Sequence, residues 1–174
     1  MQIKTDSFEV MKKSSLLLLI FVFLMASCLK REEYSDVPSI TYKSFTTSAD
    51  SAVLVMDFVD GDGNFGITES DTSGIYDDCF QRYNLYAEYY ELRNGVWTWV
   101  QLDPCIDQLP FYYQVPFAEP TGQFKTQKGQ IEIVMKPTYY LTNDFDTCRF
   151  VIKIADRDRN FSNTVTTRTF VKPI

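Results

Sequence analysis

"RYNLYAEYYELRNGVWTWVQL", Arg82–Leu102, decides the fold. Two runs rich in Tyr, Leu, Trp and Val flank Asn94-Gly95. That dipeptide supplies the two φ > 0 residues of a type I′ turn, whose twist matches that of paired strands. A two-residue loop also fixes the register. It sets Leu92 opposite Trp97, Tyr90 opposite Trp99 and Ala87 opposite Leu102. Side chains alternate between the faces of a strand, so Leu85, Ala87, Tyr89, Val100 and Leu102 form a core face. Tyr86, Tyr90, Trp97 and Trp99 share the opposite face, either as an exposed platform for a ligand or as cross-strand aromatic pairs covered in part by "PFYYQVPF" (Pro110–Phe117).

Working outward, further strand signals occupy Pro38–Phe45, Ser51–Val59, Gln130–Met135, Cys148–Ala155 and Asn163–Val171, with a short one near Gln123–Lys125. No long 3.6-residue period follows residue 38. Short apolar runs separated by turn residues predict an all-β domain. We read it as an immunoglobulin-like antiparallel β-sandwich of seven to eight strands. In that topology the loop after Val59 and the loop after Ala155 emerge at the same end.

Those two loops carry the same pattern. "DFVDGDGNFGITESD" (Asp57–Asp71) places Asp60, Asp62 and Asn64 at alternate positions among glycines, and "DRDRNFS" repeats it with Asp156, Asp158 and Asn160. Alternating oxygen-bearing side chains in a tight loop can converge on calcium, which takes about six to eight oxygens. Asp60, Asp62, Asn64 and Asp71 fall at positions 1, 3, 5 and 12 of an EF-hand-like loop. Phe65, however, stands where the sharp turn wants glycine, and the flanks are strands. Asp-Gly and Asn are also ordinary turn formers, and in the second copy Arg157 and Arg159 compete for the carboxylates. The second copy reads as turn chemistry; the first is open between calcium and a turn. The Asp156 turn also resembles the "D-x-x-G-N" segment of a broad group of bacterial extracellular sandwich domains, with Arg159 in place of the glycine. That resemblance implies fold rather than function.

The N-terminus carries an address. "MKKSSLLLLIFVFLMASC" has two lysines, an apolar run from Leu16 to Ala26 and a small residue before Cys28. The run is too short for a bilayer span and matches a secretory signal core; Met1 and Met11 are alternative starts. "MASC" resembles the lipobox of bacterial lipoproteins, and "CLKREEYSDVP" resembles the export signal of Bacteroidota surface lipoproteins. The resemblance implies cleavage after residue 27, acylation of Cys28, membrane attachment through the lipid and exposure on the outer-membrane surface. The expected layout is a signal peptide over residues 1–27, a linker over 28–37 and a sandwich over 38–174.

Export permits disulfides. Cys79 and Cys105 sit at the outer ends of the hairpin, which a hairpin brings together, so they are expected to bridge. Cys148 shares the parity of Phe150, Ile152 and Ile154 and is expected in the core as a free thiol.

Removing the first 27 of 174 residues leaves 147, enough for one domain. The net charge of −6 argues against nucleic acid, which requires basic surface. The chain has no histidine, which excludes Ser-His-Asp and Cys-His catalysis and histidine metal sites. No catalytic pair stands out, and no enzyme activity is expected. Two function classes remain. One is a non-catalytic surface module binding a glycan, peptide or protein. The other is a structural or accessory lipoprotein of an outer-membrane complex with a calcium-stiffened loop.

Overall fold

The computed structural model describes residues 33–173 except 72, 104, 106–110, 122–123, 137–138 and 142–144. The signal segment and Cys28 lie outside the described residues. Tyr34–Ile174 forms one compact unit. It is an all-β sandwich of two antiparallel sheets.

The first sheet contains β1 (Ser39–Thr47), β2 (Ala52–Asp60) and β6 (Gln127–Met135), in the order β1-β2-β6. The second is built on β3 (Leu85–Arg93), β4 (Val96–Trp99) and β7 (Thr147–Ile154). It is completed by short β5 (Tyr112–Tyr113), β8 (Val165–Thr166) and β9 (Phe170–Val171). Its order is β4-β3-β7-β8, with β5 on β3 and β9 on β7. Apart from the short β5, this is the expected immunoglobulin-like distribution: first, second and fifth long strands in one sheet, the hairpin and the last strands in the other.

The hairpin register is as the turn requires. Tyr90 pairs with Trp99 and Leu92 with Trp97, and Asn94 and Gly95 take φ of 51° and 81°. The expected pair Ala87–Leu102 does not form. The ladder ends with Val100 N–H donating to the Tyr89 carbonyl, and Ala87 N–H donates instead to the Phe111 carbonyl. The Cys79–Cys105 disulfide, with Cα atoms 5.3 Å apart, ties off the departing chain at Cys105. The returning segment, expected only as a covering loop, then pairs Tyr113 with Leu85 and Tyr112 with Tyr86. Closing the bridged loop stabilises the fold by about 3 kcal/mol in the chain-entropy account.

Two other expectations change. No strand forms over the described residues 124–126; β6 starts at Gln127. The last strand is split into β8 and β9. Between them buried Thr167 donates its N–H to the Phe150 carbonyl and accepts the Phe150 N–H on its hydroxyl, replacing one rung with a side chain.

The core is an aromatic seam between the sheets. Phe150 lies 5.1–5.7 Å from the rings of Phe111, Tyr89, Phe45 and Phe170. Leu54, Met56 and Ile152 fill in around it. Such ring pairs add about 0.5–1.5 kcal/mol each beyond their buried area. Cys148 is free and buried, with its sulfur 2.8 Å from the Tyr89 hydroxyl. The outer edge of β1 is closed by side chains: the Asn163 amide accepts from Ile40 N–H and donates to Ile40 C=O, and Arg168 donates to the Phe45 carbonyl. Among the described residues no helix is long and apolar enough to cross a membrane.

Candidate functional site

The apex is built by the ends of β2 and β7. Asp60, the last residue of β2, is 0 % exposed. Its Oδ2 accepts the Phe65 N–H at 2.9 Å, while its Oδ1 is buried and has no hydrogen-bond partner. Asn64 bridges the two loops. Its Nδ2 donates to Asp62 Oδ2 and to Asp158 Oδ2, each at 2.9 Å. Its Oδ1 is also buried and unpartnered. The two motif copies therefore touch. Burial, reinforced by the charges of Asp62 and Asp156, pushes the Asp60 carboxyl up to about 6. Burial, with Asp156, Asp36 and Asp158 adding, also raises Asp62. Asp156, nearly buried, accepts both the N–H and the side-chain amide of Asn160, each at 2.8 Å.

Asp71, expected at the same point, is occupied elsewhere. Its Oδ2 accepts the Thr68 N–H and hydroxyl, and its Oδ1 accepts Arg157 at 2.7 Å. Burial works against ionisation there, but Thr68 and Arg157 hold the carboxyl below its ordinary value. Among the described residues no group of three acidic or thiol side chains stands close enough together to hold a metal ion.

The outward face of the larger sheet divides in two. At one end Tyr86 is 5 % exposed. Tyr112 packs against it at 5.2 Å and Phe161 at 5.9 Å, and its hydroxyl donates to the Tyr83 carbonyl and accepts from Arg159. Tyr86 shares the face with Tyr90, Trp97 and Trp99 but is covered. At the other end Trp99 is 41 % exposed and Tyr90 and Trp97 are half-buried. Register places Trp99, Tyr90 and Arg149 side by side across β4, β3 and β7. The Arg149 guanidinium lies over the Trp97 ring, 4.2 Å from its centroid.

Sequence reasoning missed Arg149. Its odd parity beside Phe150 marks it as outward-facing, but only the pairing of β3 with β7 puts it next to Tyr90. It also missed a cavity of about 500 Å³ between β6 and the 115–121 segment, lined by Phe58, Phe65, Val115, Pro116, Gln127 and Ile131. No family model, curated protein or solved structure matches the chain.

Proposed function

We propose that this chain is a lipid-anchored cell-surface protein whose sandwich is a non-catalytic binding module for a glycan, peptide or partner protein. The anchor rests on the residues around Cys28, which resemble a lipobox. The observation that carries the binding reading is the Trp99–Tyr90–Arg149 row across β4, β3 and β7, with Trp99 open to solvent. Large amphipathic rings held by paired strands give contact area at little conformational cost. The test is binding to an array of immobilised glycans and peptides, comparing the wild-type domain with Trp99→Ala. A ligand lost on substitution supports the reading; no ligand for either protein removes it. In parallel, Cys28→Ala is expected to leave the membrane fraction.

A second reading is favoured by the unpartnered oxygens of Asp60 and Asn64: a structural or accessory lipoprotein whose apex is stiffened by calcium. Here the ion takes Asp60 Oδ1 and Asn64 Oδ1, with Asp62 and Asp158 turning from the Asn64 amide toward the ion. Asp71 stays with Arg157.

A further inference from the structure

The outward face carries a cation without a counter-charge. Lys153, on the same face of β7, is paired with Glu88 at 2.8 Å. Arg149 has neither a carboxylate nor a hydrogen-bond acceptor among the described residues; its protein contacts are the rings of Trp97 and Tyr90. Its Nε is buried without a partner. Arg149 as a whole is half-buried, and of its guanidinium nitrogens only Nε is both buried and unpartnered. Resting the guanidinium on an indole fixes its plane and leaves a preset fork of donors.

We propose that this face binds an acidic saccharide, with the carboxylate of a uronate-type sugar on the Arg149 fork and the apolar C–H face of a ring on Trp99. The inference rests on the binding-module reading and names its ligand class.

Three features select this chemistry. First, the two terminal amines of the guanidinium match the two oxygens of a carboxylate. Second, Trp99 and Arg149 stand two strand spacings apart, roughly 10 Å between backbones, so a short oligosaccharide can touch both. Third, both edges of β3 are occupied by β4 and β7, so no backbone groups are free at Tyr90 to add an extended peptide as another strand, although β4, which carries Trp99, ends the order of this sheet. The chain as a whole carries −6, so polyanions are repelled in general. An acidic ligand is therefore held by local fit rather than by bulk charge.

Both tryptophans of the chain, Trp97 and Trp99, lie on this face and report binding directly by fluorescence. The probe is oligogalacturonate. Its fully methyl-esterified form and poly-glutamate serve as controls. We expect a saturable fluorescence change with oligogalacturonate, weakened at least tenfold for the ester. Arg149→Gln should abolish the response, and Arg149→Lys, which keeps the charge but not the fork, should weaken it about tenfold. Thermal melting of each variant checks that the fold is intact. Absence of a response to oligogalacturonate overturns the proposal. So does equal binding of poly-glutamate, or an Arg149→Lys protein that binds as the wild type does. Equal binding of the ester that still depends on Trp99 also overturns it, while leaving the binding module standing. Failure of every glycan and peptide on the array defeats the module itself.

Discussion

The two copies of Asp-x-Asp-x-Asn-Phe stand side by side and bond differently. In the second, Asp156 gathers the N–H and the amide of Asn160, and both its oxygens are matched. In the first, Asp60 takes the N–H of Phe65, one residue later, and Asn64 turns away to Asp62 and Asp158. Both copies are left-handed at their fourth position, with φ of 71° at Gly63 and 66° at Arg159. The phenylalanine separates them. Phe65 is 2 % exposed and packs 5.0 Å from Phe58, whereas Phe161 is 48 % exposed. Burying a phenylalanine contributes about 1.5–3 kcal/mol, while a turn hydrogen bond contributes about 0.5–1.5 kcal/mol. Core burial therefore wins over the closed Asx turn, and the first copy is left with two unmatched buried oxygens.

The largest effect expected from this contrast is at the fourth position. A Cβ on Gly63 would meet the Lys125 carbonyl oxygen at 1.8 Å in a left-handed backbone. Strain and overpacking together predict that Gly63→Ala destabilises by about 2–5 kcal/mol. At the matching position Arg159→Gly relieves the left-handed strain but loses the bonds to the Tyr86 hydroxyl and the Tyr83 carbonyl, so it should shift stability by less than about 1 kcal/mol. Urea melts of the two variants compare them; equal losses would mean that the crowding at Gly63 is not felt.

The first aspartates come next, and they should respond with opposite signs. Asp60 has a folded-state pKa of about 6 against an ordinary 3.8. The folded protein thus holds the proton more tightly than the unfolded chain, and stability falls as pH rises from about 4 to about 6. That shift amounts to about 3 kcal/mol at neutral pH, as an upper bound. Asp60→Asn keeps an acceptor for Phe65 N–H, sheds the charge and should stabilise by about 1–3 kcal/mol at pH 7 while flattening the pH slope. Asp156→Asn, which removes one of two matched acceptors, should cost about 1 kcal/mol. Melts at pH 4.5 and 7.5 decide; a loss of stability at pH 7 in Asp60→Asn would show that the carboxylate is needed ionised.

The smallest effect concerns calcium. At ten times its Kd, an ion bound only to the folded state adds about 1.4 kcal/mol. Millimolar calcium should raise the melting temperature of the wild type and of Asp71→Asn, and not that of Asp60→Asn. A rise that survives in Asp60→Asn would assign the effect to general screening of the acidic surface.

The long strands, the hairpin register next to the turn and the Cys79–Cys105 bridge were legible because each depends on local signals: β-rich runs, an Asn-Gly turn, and cysteines at the ends of one hairpin. The contact between the two motif copies followed from topology alone. What could not be read depended on neighbours distant in sequence. Tyr112 and Phe161 close over Tyr86, Arg157 takes Asp71, and Arg149 reaches the tryptophans only because β7 lies against β3. The end of the hairpin was misread for a similar reason, since Phe111 supplies the carbonyl that Ala87 uses in place of Leu102.

Buried Cys148 has a consequence for how the protein is made. A thiol enters disulfide exchange only as thiolate, and burial pushes the Cys148 thiol up, away from that form. Once β7 has docked on β3, the third sulfur is withdrawn from the chemistry and the Cys79–Cys105 pair has no competitor among the described residues. Before docking, the thiols of Cys79, Cys105 and Cys148 offer three pairings among themselves, two of them wrong. The yield of native molecules in an oxidising compartment therefore depends on strand pairing running ahead of oxidation, a race that a Cys148→Ala chain would not have to run.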